Sequence, residues 1–93
     1  MPEEHLMDTY SRLPVAFESG SGCWLTDSEG NSYLDAVAGI AVCALGHAHP
    51  KVAEAVCDQA GRLVHTSNLY RVPLQEEVAG ALARLSGLER AFF

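Results

Sequence analysis

Ninety-three residues allow one small domain at most, near the lower limit for burying a core unaided. Apolar residues make up 48% of the chain and mean hydropathy is +0.06, which excludes a disordered polar tail. A net charge of −6 argues against nucleic acid or an anionic membrane surface as partner and identifies no ligand.

The opening stretch MPEEHLMDTYSRL lacks a basic segment leading into an apolar one, so it does not read as a signal peptide. Leu6, Met7, Tyr10 and Leu13 recur at helical spacing, and Glu3 and Glu4 suit the dipole of a first turn. The spacing predicts a helix over Glu3 to Leu13, ended by Pro14. Further on, Trp24, Leu25, Tyr33 and Leu34 flank the cluster Asp27-Ser28-Glu29-Gly30-Asn31, which predicts a β-hairpin.

AVAGIAVCAL, residues 36–45, is small and apolar without a clear period. It reads as a buried strand, too short to span a bilayer. Its Ala and Gly content suggests backbone packed closely against a ligand or another subunit. Cys23, Cys43 and Cys57 are odd in number and lie in apolar patterns, so they are expected as reduced, buried thiols of a cytoplasmic protein.

LGHAHPKVAEAV then places His47 and His49 one residue apart before Pro50. Pro50 fits the first position of a helix, and Val52, Ala53, Val56, Ala60, Leu63 and Val64 carry that helix to about Val64. His-x-His invites a metal reading, but zinc needs a third and fourth ligand and no Cys or carboxylate stands nearby at ligand spacing. A structural turn with hydrogen-bonded imidazoles is the preferred reading. Lys51, the only lysine, falls at the helix entry; a solvated side chain there outweighs a role in covalent catalysis.

A second helix is predicted from Pro73 to Ser86-Gly87, with Leu74, Val78, Leu82 and Leu85 on one face. Its acidic pair Glu76-Glu77 is explained by the helix dipole rather than by acid–base work. Between the helices lies HTSNLYR, a polar loop of the kind that carries binding groups when it is not a plain connector. LERAFF reads as the opening of a buried strand, so the sequence is expected to be cut at this point. Phosphate loops, CxxC pairs and GxSxG do not occur, and the residues by themselves name no reaction.

The chain as a whole resembles the N-terminal part of the class III pyridoxal-phosphate-dependent aminotransferases. The likeness runs through HLMDTYSRLPVAF, YLDAVAGIAVCALGHAHPKV and HTSNLYRVPLQEEVAGALARLSGLERAFF, and GHAHP resembles the GHxHP element of that class. GIAVCALGHAHP together with HTSNLYR points to the acetylornithine and succinylornithine branch.

The resemblance implies an α/β architecture of fold type I, of which residues 1–93 would be only the N-terminal segment. That segment would comprise a helix, a small antiparallel hairpin region and two helices, stopping just before the large cofactor-binding domain. It implies amino-group transfer between N-acetylornithine and 2-oxoglutarate in arginine biosynthesis, by a cytoplasmic homodimer. Succinylornithine, ornithine and 4-aminobutyrate are the alternative donors, and a non-catalytic interaction module is the alternative from another class.

It also implies that AGIAV and SNLY lie at the mouth of the active site near the dimer interface, which makes Ile40, Asn68 and Tyr70 substrate-side candidates. No metal is expected at His47 and His49. Pyridoxal 5'-phosphate would belong to the full-length protein alone. The family's SGAEA phosphate stretch, the aspartate on the pyridine nitrogen and the cofactor lysine are not in this sequence. The chain alone is therefore expected to be inactive, with no catalytic or cofactor-binding residue of its own.

Overall fold

A computed structural model describes residues 5–93, with elements in the order three strands then three helices. The chain divides into two compact units, Met1–Val56 and Cys57–Phe93.

The first unit is organised by an antiparallel meander of β1 (Phe17–Ser21), β2 (Trp24–Asp27) and β3 (Ser32–Leu34), paired in the order β1-β2-β3. Thr26 faces Ser32 and Trp24 faces Leu34, so the predicted hairpin is present in the predicted place. Asp27 ties it off. Its Oδ1 accepts from the backbone N–H of Glu29 (2.9 Å) and Asn31 (2.8 Å), and its Oδ2 accepts from Asn31 Nδ2 and Tyr33 Oη (both 3.0 Å). A short carboxylate that reaches its own turn is the reason Asp favours this position. β1 joins β2 with an irregularity between Phe17 and Ser19, and the Phe17 and Tyr33 rings meet edge to face at 5.5 Å.

In the second half, α2 (Pro50–Ala60) and α3 (Pro73–Ser86) start at the expected prolines. α3 ends on Gly87 in the left-handed conformation, φ 75°, whose N–H donates to the Ala83 carbonyl. α2 ends at Ala60 and does not reach Val64. Gly61 follows, the N–H groups of Arg62 and Leu63 both turn back to Gln59 O, and Gln59 Nε2 caps Leu63 O at 3.0 Å.

Further expectations are corrected. Residues 5–16 form no helix; the part of the prediction on Glu3 and Glu4 lies outside the described residues. Leu6, Met7, Tyr10 and Leu13 are exposed, and a short helix with no surface under its apolar stripe does not cover its nucleation cost. Residues 36–45 are not a strand but enclose the turn described below. Residues 88–93 are irregular, because the Cys57–Phe93 unit contains no strand whose edge they could join.

Among the described residues no hydrophobic side chain is buried, and Asp27, at 8% exposure, is the buried polar one. The apolar stripe of α3 through Leu74, Val78 and Leu82 faces solvent. The three cysteines are free as expected, but Cys23 and Cys57 are exposed and Cys43 only half-buried, since there is no core to bury them. No helix of the described residues is long and apolar enough to cross a membrane.

Candidate functional site

Residues Ala38–Ala41 (α1) form a single turn wound the wrong way. Ala38, Gly39, Ile40 and Ala41 have φ of 53°, 66°, 62° and 60°, while the flanking Val37 and Val42 return to −85° and −91°. Left-handed backbone costs an L-residue about 1–2 kcal/mol. Gly39 escapes that cost, Ala38 and Ala41 bear it, and Ile40 bears it most, as a β-branched residue for which positive φ is a true outlier. Its side chain stands 85% exposed at the crest of the turn. Backbone strain of this kind persists only where surrounding contacts enforce it, and it concentrates at functional sites.

The enforcing contacts are visible. Asp35 Oδ1 accepts from the N–H of Val37 (3.1 Å) and of Ala38 (2.9 Å), which fixes the entry to the turn. Asp35 Oδ2 lies 2.6 Å from His47 Nε2, so the imidazole N–H donates there and the carboxylate accepts the hydrogen bond. The Ala38 N–H, then the His47 imidazole, hold the Asp35 carboxyl below its ordinary range.

Both partners are anchored through their main chains as well. The Asp35 N–H donates to Cys23 O at 2.8 Å, and His47 exchanges both backbone hydrogen bonds with Gly22 (2.8 and 3.0 Å). Residues 36–46 thus leave the sheet beside Cys23 and return beside Gly22. Two glycines permit this closeness: a Cβ on Gly20 would lie 2.7 Å from His47 Cβ, and one on Gly46 would lie 2.9 Å from Gly22 O.

The two histidines therefore do different work. His47 belongs to the sheet and to Asp35, whereas His49 Nδ1 accepts from the Lys51 N–H at 3.2 Å at the entrance to α2. Among the described residues no group of three His, Cys, Asp or Glu side chains is placed to hold a metal ion.

In the Cys57–Phe93 unit, Asn68 and Tyr70 line one cleft of about 690 Å³ with Arg71, Gln75, Phe92 and Phe93. Asn68 is engaged on both sides: Oδ1 accepts from Gln75 Nε2 (3.1 Å), and Nδ2 donates to Phe93 O (3.2 Å). Its amide sets the loop against α3. Tyr70 is 68% exposed. The turn before it passes through Ser67 at φ 70°, with Ser67 Oγ accepting from the Leu69 N–H and Ser67 O from the Tyr70 N–H. Of the three residues singled out from sequence, Asn68 and Tyr70 thus share a cleft, and Ile40 belongs to the other unit.

Sequence reasoning passed over Asp35. The available signal was an Asp directly after the strand and two and three residues before the N–H groups it caps, the spacing of a side-chain turn. Pyridoxal phosphate requires a lysine at its aldehyde carbon and clustered backbone donors at its phosphate. Lys51 is exposed on α2 and lines neither the cleft at Tyr70 nor the hollow between residues 42–46 and the start of α2. The described residues do not by themselves compose a site for that cofactor.

Comparison with known proteins is consistent along the whole length. The sequence model described as aminotransferase class III matches residues 6–93. An acetylornithine aminotransferase of Nitrosomonas europaea is 56% identical over 96% of this chain, and one of Gloeobacter violaceus is 54% identical over 98%. The chain spans about a quarter of the length of these relatives, 23% of each. The crystal structure of N-acetylornithine aminotransferase from Stenotrophomonas maltophilia is similar over 89% of this chain and 23% of its own, at 42% identity and a TM-score of 0.83. The ornithine aminotransferase of Toxoplasma gondii, described with partial occupancy of PLP at its active site, is similar over 94% of this chain and 20% of its own, with a TM-score of 0.90 at 31% identity.

Proposed function

Because this chain belongs to the class III aminotransferase family, we propose that it forms the N-terminal part of an enzyme that moves an amino group between N-acetylornithine and 2-oxoglutarate. Identity of 56% and 54% with acetylornithine aminotransferases over nearly the whole chain carries this reading. The large domain of that enzyme would follow residue 93 and bind pyridoxal phosphate, which supplies the electron sink for the reaction. The present segment would supply the substrate side: Ile40 on its strained turn, and Tyr70 beside Asn68 in the loop before α3. An exposed phenol can both pack against and hydrogen-bond an amino-acid substrate.

Arginine biosynthesis in the cytoplasm, by a homodimer whose subunits meet near these loops, completes the reading. The exposed apolar faces of this segment support it, since surface of that kind is normally covered. Ornithine is the rival donor, favoured by the TM-score of 0.90 to the Toxoplasma gondii enzyme.

The deciding experiment is a steady-state assay of the full-length polypeptide with 2-oxoglutarate and each of N-acetylornithine, succinylornithine, ornithine and 4-aminobutyrate. The highest kcat/KM is expected with N-acetylornithine. A higher value with another donor would replace the substrate, and no transamination with any of them would overturn the proposal.

A further inference from the structure

The left-handed turn raises a question that the family assignment does not answer: what keeps Ile40 in a backbone conformation that a β-branched residue avoids. The described contacts of the turn's entry converge on one side chain. Asp35 holds the N–H groups of Val37 and Ala38 with Oδ1, the last positions before and at the start of the positive-φ run. Its other oxygen is held by His47 at 2.6 Å, and the Asp35 side chain is 8% exposed. His47 in turn cannot drift, because its backbone is bridged to Gly22 and its Cβ and Cγ press on the space that Gly20 leaves open. The chain of fixation runs from the sheet through His47 to Asp35, and from Asp35 to the turn.

We propose that Asp35, clamped by His47, is a positioning residue that sets the left-handed turn and thereby aims Ile40 at the amino donor. This rests on the reading that Ile40 faces substrate, and it deepens that reading by naming what holds the residue in place. Asp35 itself touches neither substrate nor cofactor in this scheme. Its removal should loosen substrate binding while leaving the chemical step largely alone.

The test uses the full-length holoenzyme. Asp35→Ala is expected to raise KM for N-acetylornithine about tenfold with kcat within about twofold, the pattern of lost positioning rather than lost chemistry. His47→Ala should shift KM in the same direction by a smaller factor. Asp35→Asn, which keeps an oxygen for the Val37 and Ala38 N–H groups, should restore most of the loss. If Asp35 acts through Ile40, then Asp35→Ala should add little to Ile40→Ala in the double variant.

A second readout does not depend on the substrate. Hydrogen exchange at the Val37 and Ala38 amides should be about tenfold faster in Asp35→Ala than in wild type, and restored in Asp35→Asn. Unchanged exchange overturns the clamp whatever the enzyme acts on. Faster exchange with unchanged KM, or a fully additive double variant, leaves the clamp standing and overturns its role in aiming Ile40. Should Asp35→Ala fail to accumulate as folded protein, His47→Ala decides by the same two readouts. Wild-type enzyme that transaminates none of the donors would instead overturn the functional reading, with the exchange result still deciding on the clamp.

Discussion

The Tyr33 hydroxyl donates to Asp27 Oδ2 at 3.0 Å, joining the last residue of β2 to the middle of β3 across the hairpin. Asp27 accepts four hydrogen bonds and Tyr33 supplies only one of them. Asp27→Ala should therefore destabilise the hairpin clearly more than Tyr33→Phe, which leaves the turn's own bonds intact. Amide exchange at Glu29 and Asn31 checks the ranking: both should speed up in Asp27→Ala and stay near wild type in Tyr33→Phe.

Acid should act on the same unit. The Asn31 side chain and main chain and the Tyr33 hydroxyl hold Asp27 below the ordinary 3.8; the Ala38 N–H and His47 do so for Asp35. A carboxyl with a lowered folded pKa contributes stability that is complete above its unfolded value and disappears as pH falls through the folded one. Stability should thus be flat down to about pH 4 and decline below it. An NMR titration following the Glu29, Asn31 and Ala38 amides measures this. Asp27→Asn and Asp35→Asn should each remove part of the decline, and a loss beginning well above pH 5 would contradict the assignment.

Two glycine substitutions should both load the Gly22–His47 pairing, one of them with added backbone strain. At Gly46, with φ 78°, an added Cβ meets Gly22 O at 2.9 Å, and neither backbone can yield without breaking the Gly22–His47 pair. Gly46→Ala is expected to cost about 1–3 kcal/mol. Gly20→Ala meets His47 Cβ at 2.7 Å, His47 Cγ at 2.8 Å and Leu25 Cδ2 at 3.0 Å. Leu25 can turn aside, but His47 Cβ is held by the same backbone pair with Gly22, and no positive φ adds strain at residue 20. Denaturant midpoints of the full-length protein should fall further for Gly46→Ala, with unchanged slopes.

Zinc should find nothing here to hold it tightly. His47 Nε2 is committed to Asp35 and His49 Nδ1 to the Lys51 N–H, so the pair offers no convergent ligand set. Calorimetric titration of the protein with Zn²⁺ should show no stoichiometric sub-micromolar site. Such a site, abolished by His47→Ala, would refute this.

For Tyr70 the expectation is a graded loss in the full-length enzyme. Tyr70→Phe removes a hydroxyl but keeps the ring, and should raise KM for the amino donor about two- to threefold. Tyr70→Ala removes the wall of the cleft it shares with Arg71 and Phe92, and about tenfold is expected. Steady-state kinetics that leave both variants indistinguishable from wild type would remove Tyr70 from the substrate side.

α2 and α3 were legible because proline starts and an apolar stripe at helical spacing are local signals, and the β2–β3 turn because DSEGN carries its own chemistry. β1 was not read as a strand. FESGS has no apolar alternation, and its pairing is decided by β2 rather than by its own side chains. The stripe of Leu6, Met7, Tyr10 and Leu13 reads as a helix over Glu3 to Leu13 because periodicity reports a face and not whether anything lies under it.

The left-handed turn was out of reach for a different reason. Ala, Ile and Ala at positive φ contradict local preference, and only contacts made from Asp35 and from residues as distant as Gly22 and His47 hold them there. In the candidate site, Asn68 and Tyr70 were found as neighbours in sequence. Asp35 went unread because an aspartate between a strand and an apolar run looks like a solvated end.

The clasp formed by Asp35 with Cys23 and His47 with Gly22 also fixes how this segment can change over generations. Residues 36–46 are closed at both ends, by the Asp35–His47 side-chain contact and by main-chain bonds to adjacent residues of one sheet connection. Side chains on the crest can be exchanged without disturbing either end, which leaves Ile40 free to vary with the substrate. An inserted or deleted residue would have to be absorbed between the fixed Asp35 and His47, at the expense of the left-handed turn. Libraries aimed at new donors should therefore tolerate substitutions at residue 40 and lose the placement of that residue when the length of this loop changes.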